Sequence, residues 1–108
     1  QVGYLAAAGL FALKNNISRL SEDHFRAKEI ASKFLDKSFV KKINDVETNI
    51  IIIELNEGVS KKTIIDYFSK NDVVFDWHSM GPKKIRIVTH LDYSETDHKY
   101  LLKIVDKL

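Results

Sequence analysis

Three rhythms of apolar and polar positions run through this chain, and each predicts a different kind of element. From Gln1 to Asn16 there is hardly a charge, and Ala6, Ala7, Ala8, Leu5, Leu10 and Leu13 are strong helix formers. The stretch therefore predicts a helix that is apolar all round. Such a helix must be covered on several sides, which a unit this small does not achieve alone. The expectation is that it meets another part of a longer protein or a second subunit. The Asn15-Asn16 pair predicts its end, because Asn readily takes the left-handed conformation that closes helices. A second helix is predicted from about Ser18 to Asp36, with Leu20, His24, Ala27, Ala31 and Phe34 on one face. Its charges run acidic early and basic late, as the helix dipole prefers.

The next rhythms are those of strands. Ser38 to Ile43 predicts a short edge strand, and Asn44-Asp45 a turn. Thr48 to Leu55 contains four consecutive Ile without polar alternation, which predicts a central strand covered on both faces. Ser60 is placed to cap a third helix through about Lys70, with Ile64, Ile65, Tyr67 and Phe68 inward and Asn71-Asp72 closing it. Val73, Phe75 and Trp77 then alternate with Val74, Asp76 and His78 in a further short strand, followed by a loop to Lys83. Between Lys84 and Leu91 strict alternation puts Ile85, Ile87, Thr89 and Leu91 on a core face and Arg86, Val88 and His90 on the other. Ser94-Glu95-Thr96-Asp97 has the form of a capping box, and Leu101, Leu102, Ile104, Val105 and Leu108 continue as a helical stripe. The order predicts an α+β unit: an open, mostly antiparallel sheet of three or four strands with helices packed against it.

Composition narrows the function classes. The net charge of +2 arises from Lys spread along the chain and interleaved with Asp and Glu. Nucleic acid is therefore not the expected partner, since it calls for a clustered basic face with aromatic residues nearby. Cysteine is absent, which excludes disulfides and thiolate metal sites and is compatible with a reducing compartment. No apolar run approaches the roughly 20 residues that span a bilayer, so no membrane partner is expected. There is no phosphate-binding glycine loop, no HExxH and no nucleophile-elbow Ser. His24, His78, His90 and His98 lack metal-ligand spacing, and Asp92, Glu95 and Asp97 read as charges at a helix N-terminus. Arg86 is different. It is one of only three Arg beside fourteen Lys, it is flanked by isoleucines in a strand, and its planar fork suits a carboxylate held by two hydrogen bonds. The same residue is also readable as an exposed cation on the wet face of an antiparallel sheet.

Three blocks of the sequence resemble one family. Gln1-Val2-Gly3-Tyr4-Leu5-Ala6-Ala7-Ala8-Gly9-Leu10-Phe11-Ala12-Leu13, with Asn16, Arg19-Leu20, Glu22-Asp23-His24 and Ala27, is similar to the C-terminal third of the pyridoxal-phosphate-dependent threonine aldolases. Thr48-Asn49-Ile50 resembles a strand start of that family, and Arg86-Ile87-Val88-Thr89-His90-Leu91-Asp92 resembles its Arg-Leu-Val-Thr-His-Leu-Asp segment. The resemblance implies the small C-terminal domain of a fold-type-I pyridoxal 5'-phosphate enzyme, a cytoplasmic homo-oligomer (dimer or tetramer) acting on a small amino acid such as threonine or allo-threonine. It implies a helix over residues 1–17 that links to an N-terminal large domain outside this sequence, and a small α+β domain over 18–108. The cofactor Lys, its ring-stacking His and its pyridine-pairing carboxylate are implied to belong to that large domain, so this chain is expected to be inactive alone. Arg86 is implied to bind the substrate α-carboxylate. A competing expectation from a different class is an independent ferredoxin-like ligand-binding or regulatory module, from the strand-helix-strand-strand-helix order after Asn49. An autonomous module, however, is not expected to begin with an uncharged apolar helix.

Overall fold

The isoleucine run forms the middle strand of the sheet. The structure, a computed structural model, describes residues 1–75 and 78–108. Its elements are α1 (Val2–Asn15), α2 (Leu20–Leu35), β1 (Val40–Ile43), β2 (Ile50–Leu55), α3 (Lys61–Ser69), β3 (Lys84–Val88) and α4 (Glu95–Asp106). The strands make one antiparallel sheet in the order β1-β2-β3. The predicted α+β architecture, with an open antiparallel sheet against helices, is therefore the one found.

Register decides which side chains become core. Ile51 pairs with Ile87 and Ile53 with Ile85, and all four are buried. Ala27, Ile30 and Phe34 of α2, Ile64 and Phe68 of α3, and Leu101, Ile104 and Val105 of α4 join them in one cluster. Phe68 is its aromatic hinge, with ring centroids 6.0 Å from Phe34 and 4.8 Å from Phe75. Each buried Ile or Phe contributes about 1.5 to 3 kcal/mol relative to exposure.

The other face of the sheet departs from expectation. β2 was predicted to be covered on both faces, but Ile50 is exposed and Ile52 only half-buried. These two stand opposite Val88 and Arg86, so one face of the sheet carries the core and the other stays open. Other predictions also shift. Leu91 is exposed, because β3 ends at Val88 and the chain turns, while Thr89 is buried as predicted. The buried face of α2 begins at Asp23 rather than Leu20, which is exposed. Asn16 does not adopt a left-handed conformation (φ −111°). Instead, the Asn15 amide donates to the Phe11 carbonyl oxygen at 2.8 Å. Asp72 does take a left-handed conformation, φ 55°, after α3. Val73–Phe75 and His78 are not in a strand, and the other two residues of that predicted strand, Asp76 and Trp77, lie outside the described residues. Among the described residues this leaves the ferredoxin-like order without its second strand.

α1 is helical as predicted, and none of its residues is buried. Val2, Tyr4, Leu5, Leu10, Phe11 and Leu13 are all exposed. The molecule measures 51 × 27 × 27 Å, and a helix of this size standing off the body adds about 21 Å to one dimension. One consequence is measurable. A chain begun at Ile17 is expected to melt within a few degrees of the full 108 residues, since no core contact is lost; a large drop would show that α1 supports this fold.

The capping box before α4 is present as predicted. Asp97 N–H donates to the Ser94 hydroxyl oxygen (3.1 Å), and the Asp97 carboxylate accepts from Ser94 N–H (3.1 Å) and from the Ser94 hydroxyl (2.6 Å). The hydroxyl contact first, then the backbone one, holds the Asp97 carboxyl below the usual aspartate range. A carboxyl lowered in the folded state contributes stability above its unfolded pKa, and that contribution is lost as pH falls through the folded value. The melting-temperature gap between wild type and Asp97→Ala is thus expected to be full at neutral pH and to shrink below about pH 4. A gap that is flat with pH would mean that the carboxylate charge has no part in the cap.

Candidate functional site

Arg86 sits in the middle of β3, opposite Ile52, with its side chain on the face away from the Ile85/Ile87 core. It is half-buried beside a pocket of about 390 Å³. The pocket is lined by Ile87, Val88 and Thr89 at the end of β3, by Val73, Val74 and Phe75, and by the core residues Ile30 and Leu101. His90, Tyr93 and Tyr100 line it too. The stretch 73–75, though not a strand, therefore lies where it borders the Arg86 strand.

The two other arginines lie away from this pocket. Arg19 forks onto the buried Asp23 carboxylate at 3.0 and 2.9 Å, and Arg26 donates to the Tyr93 carbonyl oxygen at 2.7 Å. Of the three, Arg86 is the one carried by a strand and adjoining the pocket. Asp97 also borders the pocket, but its carboxylate is engaged by Ser94. The Tyr93 hydroxyl meets His98 Nδ1 at 3.1 Å, and burial pushes its pKa upward, so it stays protonated at neutral pH. His98 Nε2 meets Glu29 at 2.8 Å, which makes His98 a buried link between α4 and α2. His24 is half-buried on α2 and His90 is exposed, with Nδ1 accepting from Asp92 N–H at 3.2 Å. Among the described residues no three His, Asp or Glu side chains converge in a way that would hold a metal ion.

Two features escaped the sequence reading. Buried Asp23 looks like an ordinary acidic residue early in a helix, and only its i−4 relation to Arg19 hinted at pairing. His98 falls one turn before Leu101, so the apolar stripe extended backwards by three would have placed it inward.

Among the described residues no lysine lines the Arg86 pocket. Lys61, the one buried lysine among the described residues, donates its ammonium to the Gly81 carbonyl oxygen at 2.8 Å. The pocket thus joins one guanidinium to apolar side chains and to the polar groups of Asp72, Thr89, His90 and Tyr93.

No protein-family model matches the chain. Individual proteins do. A low specificity L-threonine aldolase of Escherichia coli (strain K12) is 33% identical over 94 residues, which is 87% of this chain and 26% of that protein. A probable low-specificity L-threonine aldolase 2 of Arabidopsis thaliana is 33% identical over 110 residues, covering 100% of this chain and 31% of its own length. Low-specificity L-threonine aldolase 1 of the same plant is 29% identical over 105 residues, 94% of this chain. The chain thus spans only about 26 to 31% of the length of these relatives, while they cover most or all of it. Along nearly its whole length the chain is thus similar to a part of the low-specificity L-threonine aldolases, and its α+β fold suits a C-terminal domain of that family.

Proposed function

We propose that the chain acts as the small domain of a pyridoxal-phosphate-dependent aldolase that cleaves threonine or allo-threonine to glycine and an aldehyde, and that Arg86 binds the substrate α-carboxylate. The observation that carries the assignment is the position of Arg86: on the open face of the sheet, half-buried, beside a pocket of about 390 Å³. Both oxygens of a carboxylate fit a guanidinium fork, and a fork held on both fixes the rotation of the amino acid about its Cα. That rotation decides which Cα bond is presented for cleavage.

The family is pyridoxal-phosphate dependent, but the residues described above do not fit that cofactor. The pocket has no lysine to bond it, and the buried Lys61 ammonium is engaged at Gly81. In this reading the cofactor is held by a large domain outside this sequence, and the chemistry on it lies outside this chain. Residues 1–17 then form the link to that domain. The exposed apolar surface of α1 favours this, because it needs a cover that residues 18–108 do not supply. The same reading expects a cytoplasmic dimer or tetramer, and this chain inactive by itself.

The test is Arg86→Lys in the full-length protein, which keeps the charge and loses the fork. Losing a buried two-point contact to a charge costs about 2 to 5 kcal/mol, or roughly thirty- to several-thousand-fold in kcat/KM for threonine cleavage. The melting temperature is expected to stay close to wild type, since this face of β3 is not the core face. Near-normal kcat/KM with a collapsed melting temperature would make Arg86 a structural residue and remove the assignment.

A further inference from the structure

Three hydrogen bonds converge on Thr89, just past the end of β3, and they come from two different elements. Thr89 N–H donates to the Asn49 carbonyl oxygen (3.1 Å), and the Asn49 side-chain amide donates back to the Thr89 carbonyl oxygen (2.7 Å). The Thr89 hydroxyl donates to the Asp23 carbonyl oxygen of α2 (2.8 Å). Asp23 is itself held, its buried carboxylate gripped through both oxygens by Arg19. Thr89 is 1% exposed and its hydroxyl bond to Asp23 is buried, so breaking that bond leaves a polar group unsatisfied away from water.

The need for such a pin follows from topology. β3 is the edge of the described sheet, with β2 as its one paired neighbour, and its ladder stops at Val88. Arg86 lies only two residues before that end. An edge strand held on one side frays from its terminus. A guanidinium on such a strand moves with it, and a two-point grip on a carboxylate tolerates little movement. The bonds at Thr89 extend the pairing by one residue and add an anchor to α2.

We infer that Thr89 is a positioning residue for Arg86: its hydroxyl bond to Asp23, together with the Asn49 clasp, fixes the end of β3 so that the Arg86 fork is aimed at the pocket. The inference rests on the carboxylate-binding reading of Arg86. It also gives one physical task to residues from three separated parts of the sequence, Arg19/Asp23, Asn49 and Thr89, which otherwise share no element. Thr89 itself touches no reacting group in this scheme and acts through the guanidinium.

The experiment uses the full-length protein and four variants: Thr89→Val, which keeps shape and loses the hydroxyl; Thr89→Ser, which keeps the hydroxyl; Arg86→Lys; and the Thr89→Val/Arg86→Lys double variant. Steady-state kcat/KM for threonine cleavage is measured at a temperature where circular dichroism shows every variant folded. Thr89→Val is expected to lose roughly ten- to a hundredfold, and Thr89→Ser to recover most of it. The double variant is expected to fall no further than Arg86→Lys alone, because the hydroxyl has no effect once the fork is gone. If the two losses instead multiply, Thr89 acts on general stability and the inference is overturned. If Arg86→Lys is itself silent, the carboxylate reading fails first, and that outcome is separable because it does not involve Thr89. Should Thr89→Val not fold, Asn49→Ala replaces it in the same cycle, removing the clasp from the opposite side, with the same two outcomes deciding.

Discussion

The register between β2 and β3 is the constraint on which everything else depends. With Ile51 opposite Ile87 and Ile53 opposite Ile85, four branched side chains enter the core together and Arg86 is carried to the other face beside Ile52. A slip of β3 by one residue would turn that strand over, driving the Arg86 guanidinium toward an apolar core and Ile85 and Ile87 toward water. Burial of those isoleucines, at about 1.5 to 3 kcal/mol each, therefore also holds the arginine out of the core. Position of the site and stability of the fold come from the same pairing.

The polar groups around this sheet extend the constraint beyond the ladder. Asn49 and Thr89 clasp each other where regular pairing ends, and the Thr89 hydroxyl reaches α2. Arg26 on the same helix reaches the Tyr93 carbonyl oxygen, and His98 joins Glu29 to Tyr93. Together these tie the segment from β3 to α4 onto α2 at several points. The buried aspartate in this set is tolerated because Arg19 satisfies both of its oxygens, since an unpaired buried carboxylate would oppose folding.

Among the described residues every helix and strand was located from the sequence, α2, α3, β3 and α4 by the spacing of their buried faces, α1 by helix propensity and β2 by its isoleucine run. The capping box fixed the start of α4 to the residue, since Ser94 and Asp97 carry their chemistry locally. What the sequence could not show was how much cover each face receives. Four isoleucines in a row look the same whether helices lie on one side of a sheet or on two, and here Ile50 and Ile52 stay on the open side. Leu91 was misplaced because alternation was carried past the point where the chain turns. The Thr89 hydroxyl bond joins residues 66 apart in sequence, so no local pattern announces it. Arg86 was legible as unusual from its isoleucine neighbours, but its place beside a pocket required the stretch at 73–75 to be seen against β3.

The claim at the centre is that Arg86 is where the α-carboxylate binds, and product analogues isolate it without any turnover. Glycine and methylamine differ only in the carboxylate. Their inhibition constants against threonine cleavage should be measured for the full-length wild-type protein and for Arg86→Ala. A carboxylate held by Arg86 predicts that wild type binds glycine far better than methylamine, and that Arg86→Ala loses most of that difference while methylamine binding is almost unchanged. Equal weakening of both ligands, or a preference for glycine that survives in Arg86→Ala, would contradict it.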